Sequence, residues 1–152
     1  MDLNHTDEFR DALQSLETCL ETPRVSGELP RWLGDIRRCV ESIGALLSKQ
    51  LDRQHAPQLR EIANEDPGLL AHVECLKSGD DETRNQFDKL RNWTNRLANS
   101  VPRVEPDEKR LEDEVVEFTS FGLDFIIHAR TQEIAIATWL QESLYRDTGG
   151  SG

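Results

Sequence analysis

Five polar side chains occupy positions where an amphipathic helix would bury apolar ones. His128 and Gln132 lie one helical turn apart in the apolar stretch 121–140, and Gln50 and Gln54 prolong an apolar stripe at the same spacing. Asp80 interrupts a third stripe. Burying an unpaired amide costs a few kcal/mol, and burying an unpaired carboxylate costs much more. We therefore expect these groups to meet one another, a cation or water.

Two kinds of chemistry fit such a set. Helical bundles hold metals with ligands one turn apart on facing helices, but imidazole and carboxylate are the better ligands, and amides carry no charge to offset the cation. Only Asp80 and His128 would be good ligands, so we expect no metal. The alternative is a hydrogen-bond network in which the three glutamines satisfy one another. Arg84, one turn after Asp80, is expected to pair with it.

The histidines also have simpler interpretations. His128 alone is most simply an edge-of-core residue bonded to a carbonyl or a neighbouring side chain. His5, His55 and His72 face away from the apolar stripes or lie in connections, so we expect them to be exposed to solvent. Asp80 has its own simple interpretation, as an N-cap, should the helix break at Gly79.

Apolar residues at spacings of three and four predict the elements that position these groups. The predicted helices span about 6–21, 30–55, 66–99 and 106–146, with a flexible tail at 147–152. Prolines and glycines lie near the boundaries, and no strand signal appears. The sequence predicts one all-α domain over residues 1–152, folded as an antiparallel four-helix bundle.

Composition excludes several classes of function. The chain has 18 Lys and Arg against 29 Asp and Glu, a net charge of −11, so we expect neither nucleic acid nor an anionic membrane as a partner. No apolar run approaches the ~20 residues of a membrane span, and the acidic N-terminus does not resemble a signal peptide. A cytoplasmic location is the default expectation. Three separated cysteines predict buried thiols, not a disulfide framework.

No arrangement of residues typical of catalysis stands out. The sequence has no glycine-rich phosphate loop and no paired-carboxylate motif, and no histidine stands at an obvious spacing from a cysteine. We therefore expect the protein not to be an enzyme.

Residues 31–150 resemble the hemerythrin-like (His/His/Glu cation-binding) proteins. The resemblance rests on the stretches "WLGDIRRCVESIGALLSKQ", "DPGLLAHVECLKSG" and "LDFIIHARTQEIAIATWLQESLYRDTGG". Family members carry a His-x-x-x-Glu late in one helix, one or two histidines early in the next, and a His-x-x-x-Glu/Asp in the last. A Glu-small-x-x-x-Asp-x-Gly-Gly ending follows, matched here by Glu142, Ser143 and Asp147-Thr148-Gly149-Gly150.

The ligand positions of the family fall on other residue types in this chain. The first pair falls on Gln50 and Gln54, the early histidine on Asp80, and the last pair on Gln132 and Ile136. The resemblance implies a di-iron scaffold for binding or sensing oxygen, here with its ligands replaced. The resulting hypothesis is a non-catalytic protein without a cofactor that binds a small ligand or a protein. The alternatives are an oxygen or iron sensor with an atypical site, and a plain acidic interaction module.

Overall fold

The structure, a computed structural model, describes the backbone of residues 3–25, 27–101 and 108–150. Within this part of the chain every regular element is helical, so the predicted all-α class is confirmed. The elements are α1 (Leu3–Glu21), α2 (Leu29–Ser48), a π-helical segment (Lys49–His55), α3 (Ala56–Glu65), a 3₁₀ turn (Pro67–Leu69), α4 (Leu70–Ser100) and α5 (Glu108–Gly150).

Several predicted boundaries are wrong. The second helix does not end at residue 55, because the π segment joins α2 to α3 in one helical path that ends at Glu65. A proline inside an α-helix lacks an N–H and crowds the carbonyl four residues earlier. Pro57 is tolerated because it stands at the start of α3, directly after the wider π turn.

Two further details of the boundaries differ from expectation. α4 continues through Gly79 without a break, so Asp80 is not an N-cap. α5 continues to Gly150, so residues 147–150 are helical and not the start of a loose tail. The predicted start of the last helix at residue 106 lies outside the described residues, as do positions 151 and 152.

The apolar stripes close two separate cores. The larger one joins α1, α2, the C-terminal half of α4 and the first half of α5, around side chains such as Leu13, Ile36 and Phe118. The smaller one joins α3, the start of α4 and the later part of α5, through Leu59 and Ile136 among others. Burial of these stripes supplies the main driving force for the assembly.

The helices that enclose the larger core contact one another in a cycle. α1 contacts α2 and α5, and α4 contacts the same two helices, while α3 packs on α5 and α4. In the part of the chain that the structure describes, no helix combines the length and the apolar character needed to cross a bilayer.

Candidate functional site

A layer of polar side chains separates the two apolar cores. It consists of Gln50, His55, Asp80 and Gln132, hereafter the polar layer, all buried. On each helical path that contributes to the layer, the polar residues lie between residues of one core and residues of the other. Polar groups in such a place must be hydrogen-bonded to avoid a large desolvation cost.

His55 and Asp80 form the centre of the polar layer. His55 Nδ1 lies 3.1 Å from each carboxylate oxygen of Asp80, and the two side chains are 3% and 10% exposed. A carboxylate accepts hydrogen bonds, so Nδ1 carries the proton and donates a hydrogen bond to Asp80. This contact joins the π segment to α4 and fixes the orientation of the imidazole ring.

Gln132 completes the surroundings of the carboxylate from α5. Its amide nitrogen donates to Asp80 Oδ1 at 3.0 Å and to the Leu76 carbonyl at 2.8 Å, which uses both of its hydrogens. The carboxamide lies directly against Gly79, and a Cβ added there would overlap it. Gly79 is therefore needed for close approach of α5 to α4 and not for a turn or a break.

Gln50 extends the layer towards α1. Its Nε2 lies 3.4 Å from His55 Nε2, and its Oε1 accepts a long hydrogen bond of 3.5 Å from the Thr6 hydroxyl. With the proton on Nδ1, the imidazole Nε2 accepts from the amide. Hydrogen bonds thus run from Thr6 through Gln50 and His55 to Asp80, which also accepts from Gln132. They connect α1, the π segment, α4 and α5.

The π segment explains why His55 reaches this position. Ile43, Leu47, Leu51, His55 and Leu59 are all buried, at four successive spacings of four residues. At 100° per residue these steps would drift by about 160° around an α-helix, so no single face could hold all five. The wider turn absorbs the drift, and the Ala56 N–H bonds to the Leu51 carbonyl five residues earlier.

The expectation that His55 is exposed is therefore wrong, since the residue is 2% exposed. Fixed α-helical geometry placed Gln54 one turn after Gln50, whereas the π turn brings His55 into that place. The run of buried-type positions spaced by four from Ile43 to Leu59 was the sequence signal that could have revealed it. Gln54 itself is half-buried.

The remaining predicted site residues have other partners. Arg84 does not pair with Asp80; its guanidinium donates to Asp52 at 2.5 Å, on the surface. His128 is half-buried, and its Nε2 donates to the Gly79 carbonyl at 2.8 Å, which occupies this nitrogen. The glutamines do not bond to one another; imidazole and carboxylate stand between them. Among the described residues, no three His, Cys, Asp or Glu side chains converge as a metal site.

A cleft of about 190 Å³ opens beside the polar layer, between α1, the π segment, α3 and α5. Its lining is mostly polar, with His55 at its inner end, and comprises Thr6, Asp7, Arg10, Gln50, Gln54, His55, Gln58, Glu133 and Ala137. Arg10 donates to Glu133 at 2.8 Å across this lining, and the Glu133 side chain is only 7% exposed. Sequence reasoning missed both members of this pair, because 123 positions separate them.

The arrangement can hold a polar molecule. The buried ring is oriented from behind by Asp80, and Gln54 and Gln58 line the cleft without a side-chain hydrogen bond to the rest of the described chain. Within that part of the chain, Gln86 Oε1 is the one fully buried side-chain polar atom without a partner, so every fully buried polar atom of the polar layer has one.

Comparison with family models, with curated protein sequences and with solved structures finds no match for this chain.

Proposed function

We propose that this protein is a non-catalytic binding protein for a small polar molecule, which occupies the cleft beside the polar layer. The scaffold in this proposal is a hemerythrin-like antiparallel four-helix bundle in which a hydrogen-bonded network replaces the di-iron ligands. No cofactor is required.

The order of contacts along neighbouring helices supports the antiparallel arrangement. Between α4 and α5, Trp93 bonds to Glu114, whereas Gly79 bonds to His128, so positions rise on one helix as they fall on the other. The same reversal relates α1 to the helical path of α2 and the π segment. Trp32 Nε1 of α2 donates to the Cys19 carbonyl, and Thr6 donates to Gln50 of the π segment.

The observation that carries the binding proposal is the position of His55. The residue is buried, yet it lines the cleft, so its imidazole links a satisfied interior to a polar opening. Asp80 holds the ring in one tautomer from the interior. A ligand in the cleft would therefore meet a fixed ring and not a mobile one, which reduces the entropy lost on binding.

The lining defines the class of ligand. Gln54 and Gln58 supply both donors and acceptors. The one cation of the lining, Arg10, is already paired with the carboxylates of Glu133 at 2.8 Å and Asp7 at 3.8 Å, so the cleft offers no unpaired cation to an anion. A neutral molecule rich in amide or hydroxyl groups suits this lining. The volume corresponds to about six water molecules at ~30 Å³ each, so the ligand is smaller than a typical drug.

Acetamide and glycerol are suitable probes of this chemistry. We expect saturable changes in NMR chemical shift at the His55 imidazole and at the side-chain amides of Gln54 and Gln58. Gln54→Leu should remove the response, whereas Gln86→Leu, a change outside the cleft, should leave it. Shifts that rise linearly with probe concentration, or that spread over the whole surface, would refute the proposal.

Metal content separates this proposal from the oxygen- or iron-sensor alternative. After expression in iron-supplemented medium we expect less than about a tenth of an equivalent of metal per chain and no oxo-bridge absorption, since a functional metal site retains its ion. The physical reason is that Asp80 and His128 each bond to another group. A stoichiometric metal in the purified protein would favour the sensor.

A further inference from the structure

The outer face of α5 carries a second apolar stripe, of which only Leu123 also packs against the larger core. Of its apolar members, Val116, Ile127, Ile134 and Tyr145 are between 57% and 78% exposed, and Leu123 is half-buried. We name these five residues the α5 stripe. Four of the seven large apolar side chains exposed in the described part of the chain belong to it.

The spacing of the α5 stripe makes it straight. Its members follow one another at 7, 4, 7 and 11 residues, and all of these intervals are sums of three and four. From Val116 to Tyr145 the helix makes about eight turns and the direction of the side chain changes by only ~20°. The stripe is therefore a line about 44 Å long, parallel to the helix axis.

Charge is absent from the α5 stripe although the chain is 31% charged. The positions between its members on the same face are serine, threonine or glutamine, at 120, 131, 138 and 141. Together the nine positions cover an arc of about 80° at 100° per residue. An uncharged strip of this length on an acidic protein is the face that a partner helix requires.

Acidic side chains flank the α5 stripe on one side. Glu117 and Asp124 are exposed and take part in no ion pair within the described residues. On the other side Arg130 is engaged with Glu17 of α1 at 2.6 Å, so its charge is already compensated. The electrostatic potential along this edge of the stripe is therefore negative.

We propose that the α5 stripe is a docking surface for a basic amphipathic helix of another protein. The apolar face of that helix would cover the stripe, and its Lys or Arg side chains would meet Glu117 and Asp124. A second copy of this chain is disfavoured, because each copy has a net charge of −11 and would bring the same acidic flank to the interface.

Two synthetic helical peptides test the proposal with the full-length protein. Both carry the same leucine stripe over about 28 residues, and the flanking positions are lysine in one and glutamate in the other. We expect the lysine peptide to bind at least ~10-fold more tightly at low salt, and the difference to shrink as salt screens the charges. Equal affinities would overturn the proposal.

Substitutions locate the binding face. Ile134→Glu should weaken binding of the lysine peptide by ~10-fold or more, because it places a charge in an apolar contact. Leu70→Glu alters another exposed apolar residue, on α4, and should leave binding unchanged. The double change Glu117→Lys and Asp124→Lys should reverse the preference between the peptides. Circular dichroism verifies that each variant is folded.

Two outcomes would overturn the proposal. A concentration-dependent dimer that Ile134→Glu dissociates would show that the α5 stripe pairs with a second copy. Lysine-peptide binding that survives Ile134→Glu would place the interaction on another face. Neither outcome affects the cleft, which lies beside α1 and the π segment and is probed by acetamide and glycerol.

Discussion

The region around Phe118 and the polar layer around His55 are both closed to solvent, but different forces close them. Phe118 is fully buried and packs edge-on against Trp32 and Trp93, with ring centroids 6.2 and 5.5 Å apart. Its contacts depend on shape and volume and not on particular polar atoms, so another apolar side chain of similar volume could replace Phe118. His55 depends on hydrogen bonds with specific partners. The two regions should therefore respond differently to paired substitutions.

The largest expected effect comes from breaking the central pair of the polar layer. His55→Leu leaves the buried Asp80 carboxylate without its imidazole, and we expect a loss of about 3–5 kcal/mol in the free energy of unfolding. Adding Asp80→Leu should restore most of it, since removal of both partners leaves no unpaired charge. Urea unfolding measures both changes.

The apolar region provides the matched comparison. Phe118→Ala should also cost about 3–5 kcal/mol, through the lost contacts and the cavity. A second truncation, Trp93→Ala, should lower stability further, because it removes more buried surface. The contrast fails if the second substitution restores stability around Phe118, or if Asp80→Leu deepens the loss caused by His55→Leu.

A smaller effect is expected at two helical glycines with opposite surroundings. Gly79→Ala forces the Gln132 carboxamide away from Asp80 and Leu76, and we expect a loss of about 1–2 kcal/mol from the broken hydrogen bonds. Gly34→Ala meets open space within α2 and should stabilise by roughly 0.5–1 kcal/mol through helix propensity. Thermal unfolding of the two variants gives the comparison.

A third variant attributes the effect at position 79 to the carboxamide. In a chain that already carries Gln132→Ala, Gly79→Ala should be neutral or stabilising. Destabilisation of the same size in both backgrounds would mean that backbone geometry at position 79, and not contact with Gln132, requires the glycine.

The smallest expected effect concerns the thiols at the edge of the larger core. Burial, reinforced by the contact with the Cys19 thiol at an Sγ–Sγ distance of 3.7 Å, raises the pKa of Cys39 from 9.0 to about 12. The thiolate is the reactive form, so Cys39 should react with iodoacetamide much more slowly at pH 8 than the exposed Cys75. Mass spectrometry after timed alkylation measures the ratio, and equal rates would contradict the assignment.

The raised pKa of Cys39 also makes the stability of the fold depend on pH. Because the folded state holds the Cys39 proton more tightly than the unfolded state, the contribution of this group to the free energy of unfolding is complete below pH 9 and is lost as the pH rises towards 12.

The prediction that all three cysteines are buried is wrong, since Cys19 and Cys39 are half-buried and Cys75 is exposed.

Periodicity predicted the apolar parts of the fold because burial repeats every three or four residues. The helical class and the buried stripe of α5, from Val115 through Phe118 and Phe125 to Ile136, follow from it directly. The polar layer was only partly predictable. Asp80 and Gln132 stand out as polar interruptions, but spacing cannot name their partners, and a regular α-helix cannot produce the turn that buries His55.

The π segment has a consequence for comparing this chain with any relative. It makes sequence distance and spatial distance disagree by one residue, so a motif aligned at fixed spacing across Lys49–His55 assigns the wrong side chain to the interior. A relative with one residue fewer between these positions could run as an uninterrupted α-helix, and its residue aligned with Gln54 would face the space that His55 fills here. One inserted residue would then decide between an amide and an imidazole at the inner end of the cleft.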